Sequence, residues 1–179
     1  DGDIVTPQPE DLVSPALYAT LSQSSTDPYN GPLEVLPCET NGSFYIGNYT
    51  AKGKQVPFPA YYLITNGIGK SQKYPLRLPV GTYNVIYWGY PDYFGTAGDA
   101  YLADPTLIIG KKLNTTSLGL RKIPGDTVYY PIHSLVYGTQ NINIGKDDLQ
   151  AHLKHASAAL SVIVSETNGD AFSDAIDSM

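Results

Sequence analysis

Chemistry in this chain has few side chains to draw on. Its 179 residues hold three histidines and one cysteine, with 17 acids against 11 bases. His152 and His155 would share a face at i, i+3 if their segment were helical, and two imidazoles so placed can hold a metal. No third cysteine or histidine stands beside them and His133 lies apart, so the pair reads as a surface feature and no metal site is assigned. Cys38 sits between Pro37 and Glu39 with no partner base in view, which marks it as a small packed residue rather than a nucleophile. Asp92, Asp99 and Asp104 offer oxygen ligands, yet their spacing fits no calcium loop, and aspartate is common in loops for its turn-forming side chain. Gly95-Thr96-Ala97-Gly98 is too short for a phosphate-binding loop. No catalytic constellation emerges, so the chain reads as non-enzymatic and without a cofactor.

The aromatic residues carry a stronger signal. Tyr87, Trp88, Tyr90, Tyr93, Phe94 and Tyr101 cluster at the end of one strand and in the loop behind it. Such rings either pack a core or form a stacking platform for sugar or a partner chain, since each offers wide contact area and, in Tyr and Trp, a polar tip. Trp88 reads as core. Tyr90, Tyr93, Phe94 and Tyr101 stand as candidate interaction residues.

These side chains need a scaffold, and the stretch that positions them is Leu78-Pro79-Val80-Gly81-Thr82-Tyr83-Asn84-Val85-Ile86-Tyr87-Trp88-Gly89. Pro79 and Gly81 suit a tight turn. From 82 to 88 β-branched and aromatic residues alternate, with Tyr83, Val85 and Tyr87 on one face and Thr82, Asn84, Ile86 and Trp88 on the other. Bulk on both faces predicts a central strand covered on both sides. The whole composition agrees: 15 Tyr, 17 Gly and 14 Pro with only 16% charged residues favour strands and turns over helices.

Residues 1–15, acidic and carrying Pro7, Pro9 and Pro15, read as an extended linker without regular structure. Strands are predicted at 16–21, where Leu17, Ala19 and Leu21 alternate, at 33–36 (stopping at Pro37), at 43–50 and at 60–65. Residues 66–71 read as an Asn-Gly loop. After the central strand and a long irregular stretch at 91–105, short strands are predicted at 106–109, 118–123, 127–130, 134–137 and 140–144. Residues 147–156 fit a helix with Leu149, Leu153 and Ala156 on one face, or a strand; 159–165 reads as strand. The segment from 168 is a polar tail, or a linker to a second domain. Strands and turns at this close spacing mark a sandwich or barrel filling residues 16–167.

Residues 1–51 carry seven acids and no Lys or Arg, while 52–179 carry eleven bases and ten acids. Neither part offers a basic stripe, which excludes nucleic acid as a partner. No run approaches the ~18 apolar residues of a membrane-spanning helix. The start at Asp1-Gly2-Asp3 has the look of a processed product.

The order of these signals resembles the fimbrillin-like proteins, subunits and anchors of type V pili in the Bacteroides group. The 78–89 stretch is similar to that family's "leucine-proline-x-glycine-x-tyrosine … tryptophan-glycine" strand. Leu135-Val136-Tyr137-Gly138 with Ile142 and Ile144 resembles its "tyrosine-glycine" strand, and 153–164 its following segment. The match in order of elements covers residues 43–165. The resemblance implies a transthyretin-like β-sandwich of about seven to nine strands in Greek-key order, and secretion as an outer-membrane lipoprotein held by a lipid anchor upstream of this chain. It implies other pilus subunits or surface proteins as partners, joined by strand exchange, in which a strand of one subunit completes a groove in its neighbour. Strand 16–21, with Leu17, Ala19 and Leu21, is the candidate exchange strand. Two departures qualify the likeness: family members carry two sandwiches, and polymerising members carry a basic cleavage site behind their first strand, whereas no Lys or Arg precedes Lys52. An anchor, tip or accessory subunit is the expected role. The alternative is a secreted carbohydrate-binding sandwich with glycan on the loop aromatics.

Overall fold

The computed structural model describes residues 7–21, 27–40, 44–71, 74–89, 102–103, 107–113, 119–120 and 135–155. After a short 3-10 turn at Pro9–Asp11 come β1 (Leu12–Val13), β2 (Leu17–Leu21), β3 (Gly31–Glu39), β4 (Asn48–Tyr49), β5 (Gln55–Val56), β6 (Ala60–Thr65) and β7 (Ile68–Ser71). Then follow β8 (Leu78–Pro79), β9 (Gly81–Gly89), β10 (Leu102–Ala103), β11 (Gly119–Leu120), β12 (Val136–Ile144) and β13 (Leu149–His155). Seven of these form one closed ring in the order β12-β13-β2-β7-β6-β3-β9, while β1–β8, β4–β5 and β10–β11 make two-stranded ladders. The all-β class is as expected, and the ring's seven strands match the expected seven to nine, the six others being two-residue strands. Hydrogen bonds carry the pairing around the ring, at the β2–β7 contact through one register pair.

β9 is central, as its alternation predicts. It pairs antiparallel with β3 from Leu33↔Gly89 to Glu39↔Tyr83 and with β12 from Val136↔Gly89 to Ile144↔Gly81. Val85 and Tyr87 face inward and are wholly buried with Leu33, Val35, Ile64, Val136, Ile142 and Leu153. The outer face is covered as well: Ile86 and Trp88 pack against a second small core of Leu36, Cys38 and Tyr45, joined by Leu107 and Leu113. Trp88 is half-buried there rather than sealed.

The buried tyrosines explain much of the unusual composition. A phenol buries a large apolar body only if its hydroxyl finds a partner. Tyr29 donates to the Pro32 carbonyl at 2.7 Å, Tyr45 to Pro57 at 2.7 Å and Tyr83 to Pro79 at 2.8 Å. Tyr87 donates to Gln140 Oε1 at 2.6 Å, and the Tyr62 hydroxyl accepts from the Leu76 N–H at 2.7 Å. Each ring pins a turn or neighbouring strand to the core. Burial pushes the phenols of Tyr45 and Tyr87 up and that of Tyr83 to about 12, so all three stay neutral donors.

Several local readings are corrected. β3 does not stop at Pro37 but runs to Glu39. Its pairing with β6 ends at Val35↔Ala60, so the missing N–H of Pro37 falls where no ladder partner remains, and its carbonyl accepts from Ile46 instead. The expected strand 43–50 is reduced to Asn48–Tyr49 and isolated bridges at Phe44 and Tyr45. Residues 66–71 are mostly strand: Asn66 (φ 50) and Gly67 (φ 77) form a two-residue hairpin turn of the type in which both residues need positive φ, and β7 follows at once. Strands 134–137 and 140–144 are one strand, β12. Residues 107–110 are coil and turn rather than strand. Leu12 and Val13, inside the stretch read as unstructured, pair with Leu78 and Pro79. The open choice at 147–156 resolves to strand, with Leu149, Ala151 and Leu153 buried in strict alternation. Readings at 127–130, 159–165 and 168–179 lie outside the described residues.

Candidate functional site

β2 is the strand on which a docking function would turn. Leu17 and Ala19 point inward, 2% and 1% exposed, and Leu21 is partly buried against the same core. On one side β2 pairs parallel with β13 along its whole length, from Leu17↔Leu149 to Leu21↔Leu153. The Leu149 N–H also donates to the Ala16 carbonyl at 2.8 Å.

The other side is thin. β2 meets β7 at one register pair, Tyr18↔Ile68. Beyond it a clasp takes over, built from residues 27–29 and the 66–67 turn. Ala19 N–H donates to Gly67 C=O at 2.8 Å, Tyr29 N–H to Ala19 C=O at 3.1 Å and Gly67 N–H to Tyr29 C=O at 2.9 Å. Leu21 N–H donates to Asp27 C=O at 2.8 Å, and Asn30 Oδ1 accepts from Asn66 N–H at 2.7 Å. Gly67 is required twice over: its φ is +77, and a Cβ there would lie 3.0 Å from the Ala19 carbonyl oxygen and 3.3 Å from Pro28 Cβ. Outside the seam Tyr18 and Ile68 are side by side and 42% and 53% exposed. The Thr20 hydroxyl lies 3.0 Å from His152 Nδ1 on the same outer face.

Such an arrangement offers main-chain and apolar contacts. Cys38 is buried, and desolvation, with Glu39 adding to it, pushes its thiol up to about 12, so the nucleophilic thiolate is suppressed. Because 149–155 is a strand, His152 and His155 project to opposite faces and cannot share a metal. Among the described residues no group of three His, Cys, Asp or Glu could hold a metal ion. Among them, too, no helix is long and apolar enough to cross a membrane.

Of the candidates read from sequence, Leu17, Ala19 and Leu21 lie together on β2, and Tyr87 is in the core. Tyr90, Tyr93, Phe94 and Tyr101, with His133 and the three loop aspartates, lie outside the described residues. Sequence reasoning missed the clasp. Its one local signal was the Asn66-Gly67 pair, a strong hairpin marker.

No curated protein matches the chain in sequence. Two solved structures resemble it: the fimbrial anchor protein Mfa2 from Porphyromonas gingivalis (15% identity, TM-score 0.39, 78% of this chain and 48% of that one) and a candidate adhesin from Bacteroides ovatus ATCC 8483 (14% identity, TM-score 0.40, 86% and 49%). The chain thus spans about half the length of each. A family profile matches residues 10–179, nearly the whole sequence. By that match the chain belongs to the family of fimbrillin-A associated anchor proteins Mfa1 and Mfa2.

Proposed function

We propose that this chain is an anchor, tip or accessory subunit of a cell-surface fimbria, and that it joins its neighbours by strand complementation at the β2 position. Family membership supports the fimbrial role, and the observation that carries the mechanism is the asymmetric hold on β2. One edge is a full parallel ladder to β13, while the other has one register pair to β7 and the short clasp. A strand held in this way can be replaced by a donor offering inward residues like Leu17 and Ala19, with main-chain bonds giving affinity and alternate side chains giving register. The ring then acts as a transthyretin-like sandwich whose first strand is exchangeable. No Lys or Arg precedes Lys52, so a protease specific for those residues has no site between β2 and β3, and the resident strand stays covalently attached and competes with any donor. We assign the protein to the outer membrane, as a lipoprotein anchored upstream of this chain.

Deleting residues 1–22 tests this. The loss bares Leu149, Ala151 and Leu153 together with the unpaired edge of β13, an association hazard. The truncated protein should oligomerise, or bind a synthetic peptide of residues 14–22 and stay monomeric, while the intact chain does neither. A truncated form that remains monomeric, is no less stable and ignores the peptide refutes exchange at β2.

A further inference from the structure

The turn that closes the clasp, Asn66-Gly67, carries a reaction of its own. An asparagine before glycine is the dipeptide most open to intramolecular attack, because glycine has no Cβ to shield its amide nitrogen. The Gly67 N–H gives its proton to solvent base, and the nitrogen attacks the Asn66 Cγ carbonyl. The Cγ–Nδ2 bond breaks, ammonia leaves and a five-membered succinimide remains. Water then opens the ring at one of its two carbonyls. The product is aspartate, or isoaspartate with the main chain rerouted through Cβ and Cγ. Asn66 is exposed to the water and base this needs, while Gly67 is buried. The first step is blocked in the closed seam. Gly67 N–H donates to Tyr29 C=O at 2.9 Å, which retains the proton that must leave. Asn66 N–H donates to Asn30 Oδ1 at 2.7 Å, and φ is 50 at Asn66 and 77 at Gly67. Rotation about the Asn66 ψ, which would carry the nitrogen onto Cγ, turns the Gly67 N–H away from Tyr29.

We infer that Asn66-Gly67 is a latent deamidation site gated by the seam, and that conversion to isoaspartate leaves the seam open. Isoaspartate adds a backbone carbon to a turn closed on two residues by the pair Thr65↔Ile68. Both turn residues must hold positive φ to match the strands they join, and the longer chain no longer does so. Gly67 then cannot present its C=O to Ala19 and its N–H to Tyr29 at once, as the closed clasp requires. The β6–β7 pairs further along, from Ile64↔Gly69 to Tyr62↔Ser71, do not include the turn and keep their register. The change is therefore local: β2 stays on β13 through five register pairs and loses its hold on the other side. Each opening of the seam gives the reaction a chance to run, so the state of residue 66 records the time spent open. Nothing in this chemistry depends on strand complementation at β2.

The intact protein is incubated in mildly alkaline buffer, with and without denaturing urea, and peptide mapping by mass spectrometry reads aspartate and isoaspartate at position 66. Conversion should run roughly 100-fold slower in the folded protein than in the unfolded chain, the ratio set by an opening that breaks the three clasp bonds. Urea below the unfolding transition should raise the conversion rate and the exchange rate of the Gly67 amide by the same factor, since both need that nitrogen freed from Tyr29. Asn30→Ala removes the acceptor of the Asn66 N–H, and conversion in the folded variant should quicken about ten-fold, a lost hydrogen bond's worth. The purified isoaspartate form should lose exchange protection at Ala19 and Tyr29 and keep it in β9 and β12. Conversion as fast in the folded protein as in the unfolded chain overturns the gating. A converted protein whose Ala19 and Tyr29 amides stay protected overturns the open seam. The peptide experiment on β2 reads donor binding rather than this reaction, so either result stands without the other.

Discussion

Gly67→Ala tests how the ring is closed. The residue has φ +77, where an L side chain costs about 1–2 kcal/mol. The new methyl would also stand 3.0 Å from the Ala19 carbonyl oxygen, which is backbone within β2 and can yield only if the strands part. Allowing roughly 1 kcal/mol for that crowding, of the order seen when cores are overpacked, the strain totals about 2–3 kcal/mol. Against it stand the three clasp bonds linking Ala19, Gly67 and Tyr29, together worth about 3 kcal/mol at ~1 kcal/mol each. The two sides nearly cancel. The variant should therefore relieve its strain by opening the seam, with β2 still held on β13 by five register pairs. Hydrogen exchange is the assay: the amides of Ala19, Tyr29 and Gly67 should lose protection while those of β9 and β12 keep theirs. The melting temperature should fall about 4–12 °C, for ~2–3 kcal/mol in a chain of this size. Uniform loss of protection over the whole ring would refute the reasoning, because it would make the seam as strong as every other ladder. An unchanged pattern would refute it too.

Three other outcomes follow from buried polar groups. Asn48 is 2% exposed; its Nδ2 donates to Pro75 C=O at 2.9 Å and its Oδ1 accepts from Arg77 N–H at 2.8 Å. Asn48→Ala should cost about 2–4 kcal/mol in denaturant melts, since it leaves two buried backbone groups unpaired. Asn48→Asp replaces the donor with an oxygen facing a carbonyl; burial raises that carboxyl in the folded state, so the variant should recover stability as pH falls, the reverse of the usual acid loss. Tyr83, raised to about 12, and Tyr45 and Tyr87, raised as well, bind their protons more tightly folded than unfolded. Stability should accordingly be full below the ordinary phenol value near pH 10 and decline from there upward; a denaturant midpoint equal at pH 8 and pH 11 would refute that.

The parts of the fold legible in the sequence were those set by local alternation. β6 and β9 follow from period-2 runs between turn signals, and β2 from Leu17, Ala19 and Leu21. Errors came where one residue type serves two ends. Pro37 reads as a stop, yet it is tolerated because β6 has already left that side of β3. Gly138 reads as a break between two strands, but it is there for close approach: a Cβ would lie 2.6 Å from the His152 carbonyl oxygen. Leu149 and Leu153 satisfy periods of both 2 and 3.6, and only pairing with β2 selects the strand. The site was legible to the same degree. The alternation of Leu17, Ala19 and Leu21 was readable from the local pattern, whereas the clasp and the seam arise from partners far apart in the chain.

The parallel ladder of β2 and β13 has a consequence in time. Thr20 and His152 touch across 132 positions of sequence, and β2 cannot be seated before β13 exists. At a synthesis rate of about 5–20 residues per second, some 7–26 s separate the emergence of the two strands. Throughout that interval β2 lacks its long ladder. Non-local closure of this kind is slow even once the chain is whole. β2, the first strand of the ring in sequence, is thus the one whose apolar side chains wait longest for their neighbour.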